Sequence, residues 1–81
     1  PDPEPFRRGA ELLGFAPERC LVVEDAPAGL ASGRAAGCAT LAVAGTHTLD
    51  ELDADAHASG VDAVAVQVNA DGSLTLVDRR P

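Results

Sequence analysis

Lysine, methionine, tryptophan and tyrosine are all missing from this sequence of 81 residues, and Phe6 and Phe15 are its only aromatic side chains. The interior must therefore be built from Ala, Val and Leu, which bury less area each, in a chain that hides only roughly 60–65% of its unfolded surface. Basic charge is scarce: six Arg stand against 13 acids, for a net charge of −7. Beyond the Arg7-Arg8 and Arg79-Arg80 pairs there is no basic run, which disfavours a nucleic-acid or anionic-membrane partner. No stretch is apolar for long enough to cross a bilayer and no secretory leader pattern is present, so a cytoplasmic setting is expected. Cys20 and Cys38 each border an apolar run and read as small buried hydrophobes rather than a disulfide or a zinc site. The G-x-G-x-x-G of dinucleotide-binding folds is absent.

What is present alternates between two periodicities. "PDPEPF" is extended at first, and from Pro5 the pattern turns helical, with Phe6, Ala10 and Leu13 on one face and Gly14 as its stop. "CLVV" is an unbroken apolar run of the kind covered on both faces in a parallel sheet. A second helix is expected from about Pro27 to Ala36, ending at Gly37, with Gly29, Gly33 and Gly37 allowing it to lie close on a sheet. "TLAVA" follows as a second buried strand. Thr48 and Glu51 form a capping box for a short helix, and a short strand is expected near Ala56. The alternation of Val64, Val66 and Val68, then of Leu74 and Leu76, predicts a hairpin bending at Asp71-Gly72, before a frayed "RRP" tail. The fold class implied is α/β: one domain with a Rossmann-like parallel sheet, flanking helices and a terminal β-hairpin.

Glu24 and Asp25 end the most apolar strand. In open α/β sheets ligands bind beyond the carboxyl ends of the strands. Adjacent carboxylates repel unless a cation lies between them or one is protonated, and oxygen donors of this kind suit Mg²⁺ completed by water and phosphate oxygens. A simpler role is also open: Asp25 as N-cap of the helix that starts near Pro27, with Glu24 in solvent. The two roles are compatible.

"VVEDAPAGLASGRAAG" resembles the fourth conserved motif of haloacid dehalogenase-like phosphatases, in the β-phosphoglucomutase-like subgroup. There an apolar strand ends in Glu-Asp and passes through Ala-Gly into a helix closed by Ala-Ala-Gly. "PDPEPF" and "LLGFAPERC" are similar to the segment after the family's third motif, "AGCATLAV" to its next strand, and "DGSLTLV" to the end of bacterial members that act on sugar or polyol phosphates. The resemblance implies that Asp25 binds the catalytic Mg²⁺ directly, that Glu24 does so directly or through water, and that Pro27 and Gly29 shape the turn.

The departures are as informative. The "DxDGT" motif that carries the family's nucleophilic and acid/base Asp is absent, and "DGS" at Asp71 to Ser73 lacks the first Asp and the Thr. The third-motif Lys would precede Pro1, and the helical cap is missing. The chain is therefore expected to be a C-terminal piece of the core domain, inactive alone. The parent would be a Mg²⁺-dependent phosphatase acting on a small phosphomonoester, a sugar or polyol phosphate, through an aspartyl-phosphate. A sugar phosphomutase, or a non-catalytic metal-binding α/β module, are the alternatives. His47 at a strand end borders the expected site, where a phosphate contact is open to it, though a plain surface-loop role is the commoner one; His57, Arg34 and Ser32 read as surface or unpartnered residues.

Overall fold

The computed structural model describes residues 1–71 and 73–79. Helix α1 (Glu4–Leu13) begins at Pro5-assisted N-terminal positions and ends where Gly14 turns left-handed, at φ 80°. A single 3₁₀ turn (Pro17–Arg19) leads into strand β1 (Leu21–Glu24). Helix α2 (Pro27–Ala35) follows, and Gly37, at φ 92°, releases the chain into strand β2 (Ala39–Val43). A 3₁₀ turn (Leu49–Glu51), strand β3 (Ala56–Ala58) and another 3₁₀ turn (Val61–Ala63) precede the antiparallel pair β4 (Val64–Val68) and β5 (Leu74–Asp78). The expected bend at Gly72 and the Arg80-Pro81 tail lie outside the described residues.

Strands β1, β2 and β3 form one parallel sheet in that order, with Leu21 beside Ala39 and Leu41 beside Ala56. The α/β architecture with a Rossmann-like parallel sheet, flanking helices and a hairpin is as the sequence predicts. Alternation along β1 and β2 turns Val22, Thr40 and Ala42 toward the helices. There Leu30, Ala42 and Leu52 make one buried cluster, and Val22, Ala36 and Cys38, with Phe6 against them, make another. The opposite face carries Leu41 and Ala58, which border a cavity of about 160 Å³ closed by Ala63, Val64, Leu76 and Val77 of the hairpin region.

Three expectations need correction. β1 is covered on one face only: Val23 is 40% exposed, because the hairpin reaches β2 and β3 but not the outer strand. Leu13 does not join Phe6 and Ala10 in the core: it is 72% exposed, whereas Ala10 in the same last turn of α1 is buried. The segment after Thr48 is one 3₁₀ turn rather than a helix. It is held by Glu51, whose carboxylate accepts the Thr48 N–H at 3.0 Å and the Thr48 hydroxyl at 2.6 Å.

Candidate metal centre

Glu24 is the last residue of β1, and Asp25 lies in the bend that carries the chain into α2. The strand's alternation sends their side chains to different neighbours. Glu24 points to the helix side, where its carboxylate lies against Gly29 so closely that a methyl group added there would overlap it. Gly29 is in the first turn of α2, and the partial positive charge of a helix N-terminus favours a carboxylate at that place. Asp25 instead lies against Gly45, just beyond the end of β2, where an added methyl would overlap its carboxylate in the same way. Both acids are half-buried, and each is seated on a residue with no side chain.

The capping role for Asp25 is not what the structure shows. The N-cap of α2 is Ala26, in extended conformation, with no side-chain bond to the helix, and Pro27 removes one N–H that would need a partner. Among the described residues neither the Glu24 nor the Asp25 carboxylate accepts a hydrogen bond within the chain. Their oxygens are thus left to solvent or to a cation. The donor set fits Mg²⁺ as part of a shell, since that ion commonly takes one or two protein carboxylates and fills the rest with water and phosphate oxygens. Among the described residues no group of three His, Cys, Asp or Glu side chains is placed to hold a metal.

His47 lies two residues past Gly45, half-buried, its Nδ1 3.0 Å from the Thr46 hydroxyl. It lies on the loop after β2 that also carries Gly45. His57 sits in β3 and is more than an edge ornament: its Nε2 is 2.6 Å from the Leu52 carbonyl, so that nitrogen carries the proton. Arg34, expected to be solvated, makes a two-pronged pair with Asp53 at 2.8 and 3.4 Å. Asp71 accepts the Ser73 N–H at 2.9 Å and the Ser73 hydroxyl at 2.6 Å. Those bonds hold the Asp71 carboxyl below its ordinary pKa.

One polar pair beneath the site was not legible in the sequence. Thr40, 1% exposed, donates its N–H (2.8 Å) and its hydroxyl (3.1 Å) to Asp55, while the Asp55 N–H donates back to the Thr40 hydroxyl at 3.0 Å. The clasp sets the start of β3 beside β2 and pulls the Asp55 carboxyl below its usual range, chiefly through the Thr40 N–H and hydroxyl. Only the unusual Thr at the head of an apolar strand hinted at it.

Residues 1–37 match the family model of haloacid dehalogenase-like hydrolases, a span that takes in β1, both acids and α2. Hexitol phosphatase A of Escherichia coli (strain K12) is 49% identical over 74 residues, covering 88% of this chain and 34% of the relative. The chain belongs to the haloacid dehalogenase-like family. Glycerol-1-phosphate phosphohydrolase 1 of Saccharomyces cerevisiae is 44% identical over 59 residues, covering 64% of this chain and 24% of that protein. A β-phosphoglucomutase of Mycobacterium tuberculosis is 49% identical over 41 residues, or 51% of this chain and 16% of the enzyme. The chain spans about a third of the length of the first of these curated relatives and less of the others. No solved structure matches it significantly. Among the described residues of this haloacid dehalogenase-like chain, no helix is long and apolar enough to cross a membrane.

Proposed function

We propose that Glu24 and Asp25 are the metal-holding acids of a Mg²⁺-dependent phosphatase that hydrolyses a small phosphomonoester, a sugar or polyol phosphate. One observation carries the reading: two carboxylates that accept no hydrogen bond among the described residues stand at the carboxyl end of a parallel strand, each bedded on a glycine. The relatives named as hexitol phosphatase and glycerol-1-phosphate phosphohydrolase support the substrate class. When bound, the metal supplies positive charge to the phosphate oxygens and lowers the cost of their developing negative charge. Asp25, held beside Gly45, orients one ligand oxygen, and Glu24 supplies a second directly or through water. The nucleophilic Asp, the acid/base Asp and the phosphate-neutralising Lys are not found in the 81 residues, so the chain alone is inactive in this reading.

Two experiments test it. Calorimetric titration of the chain with Mg²⁺ is expected to give a weak signal that Asp25→Asn removes. Equal signals from the two proteins would sink the assignment, and a tight Asp25-dependent site would instead favour a non-catalytic metal-binding module. The coding DNA upstream of Pro1 is expected to encode a Lys at the junction and a distal "DxDGT". In the protein so encoded, Asp25→Asn should cut kcat/KM for sugar and polyol phosphates by about 100-fold or more. The β-phosphoglucomutase relative keeps a second reading open, that of a sugar phosphomutase. Release of inorganic phosphate favours the phosphatase, whereas transfer to a sugar hydroxyl without release favours the mutase.

A further inference from the structure

Cys20 and Cys38 lie at the other end of the same two strands. In the β1–β2 ladder Leu21 pairs with Ala39, and the Ala39 N–H donates to the Cys20 carbonyl at 3.1 Å. One step back in that register sets Cys20 directly against Cys38. Parallel neighbours of this kind project to the same face from strands about 4.8 Å apart, inside the Cα separation of roughly 4.4–6.8 Å that a disulfide bridges. The shared face is confirmed by packing, because both thiols belong to the cluster of Val22, Ala36 and Phe6. Both are free.

The two thiols are not equivalent. Cys38 is 7% exposed, and its pKa is pushed up by burial first, then by the neighbouring Cys20 and by Glu18. Cys20 is half-buried, and its thiol rests 3.5 Å from the Ala16 carbonyl. Exposure therefore makes Cys20 the entry point for an oxidant and Cys38 the resolving partner behind it.

We propose that Cys20 and Cys38 are a redox-modification site, forming a reversible cross-strand disulfide with small disulfide oxidants of the glutathione type. The Cys20 thiolate attacks one sulfur of oxidised glutathione, the S–S bond breaks, and one glutathione thiolate leaves. Cys38 then loses its proton and attacks the Cys20 sulfur, expelling the second glutathione thiolate. The two protein thiols are oxidised, the glutathione disulfide is reduced to two thiols, and the two protons end on glutathione. The new bond ties the starts of β1 and β2 together and closes α2 into a loop, away from Glu24 and Asp25. It raises stability without touching the acid end.

The test is equilibration of the purified dilute chain in glutathione redox buffers, with and without concentrated guanidinium, followed by mapping of non-reduced peptides. A Cys20–Cys38 cross-link is expected, with an effective thiol concentration about 100-fold higher in native buffer than in guanidinium, because the bond and the fold reinforce each other. The oxidised form should melt about 10 °C higher, a gain that dithiothreitol reverses. Cys38→Ser should stop at a mixed disulfide of Cys20 with glutathione, whereas Cys20→Ser should leave the buried Cys38 largely reduced in native buffer. Equal effective concentrations in the two solvents, mixed disulfides alone in the unsubstituted chain, or disulfide-linked dimers would each overturn the proposal.

Discussion

Gly29 and Gly33 stand one helical turn apart on α2, yet an added methyl group meets different things at each. At Gly33 it would come within 2.9–3.0 Å of the buried Val22 side chain, which has no room to retreat. Overpacking of that sort costs about 1–3 kcal/mol, against about 1 kcal/mol gained in helix propensity, so Gly33→Ala should destabilise by about 1 kcal/mol in urea unfolding. At Gly29 the obstacle is the flexible end of Glu24. There Glu24 swings away, the propensity gain remains, and stability should hold or rise while the Mg²⁺ signal of the chain weakens. Opposite outcomes from the same substitution, read by unfolding and calorimetry together, separate close helix packing from the seating of a ligand. If Gly29→Ala left Mg²⁺ binding untouched, Glu24 would have no part in it.

At the scale of elements, the parallel sheet depends on contacts between strands far apart in sequence. Leu30 is 1% exposed and fills the space between α2, Ala42 and Leu52, so Leu30→Ala should cost about 3 kcal/mol. That is a large part of the roughly 4–12 kcal/mol typical of a chain this long, and a marked drop in urea midpoint is expected. The Thr40–Asp55 clasp sets a pH dependence. Its bonds hold the Asp55 carboxyl below the unfolded value, so the unfolded chain takes up the proton first. The stability it contributes is complete above the ordinary carboxylate range, near about pH 4, and is lost as pH falls through the lower folded value. Melting temperature plotted against pH should slope less steeply on the acid side in Asp55→Asn than in the unsubstituted chain. Parallel slopes would deny Asp55 that role.

The whole molecule is a slab of 35 × 34 × 16 Å, thin because helices cover one face and the hairpin only part of the other. Among the described residues, the only buried apolar ones larger than Ala or Cys are Val22, Leu30, Leu41 and Leu52. Meanwhile Leu12, Leu13, Phe15, Val61, Val66, Val68 and Leu74 all remain more than half exposed. Among the described residues strand β1 pairs with β2 alone, so its other edge offers free backbone donors and acceptors next to Val23. The 81-residue chain is accordingly expected to self-associate as its concentration rises, seen by sedimentation velocity, and Val23→Lys should suppress this. A monomeric chain at every concentration would show that the edge is already protected.

Much of this was legible in the residues themselves. The unbroken apolar runs marked β1 and β2, Gly14 and Gly37 marked the helix ends, and the Glu24-Asp25 doublet declared the end of the strand that carries it. Such signals act over a few positions, where backbone preference and period decide the outcome without help from the rest of the chain. Tertiary structure alone decided which face of β1 is covered, that Ala26 rather than Asp25 caps α2, and which glycine receives which carboxylate. It also decided the Thr40–Asp55 and Arg34–Asp53 pairs, whose members are 15 and 19 residues apart, and the facing of Cys20 and Cys38. Partners that distant are chosen by strand register and helix packing, and no local period in the sequence encodes either.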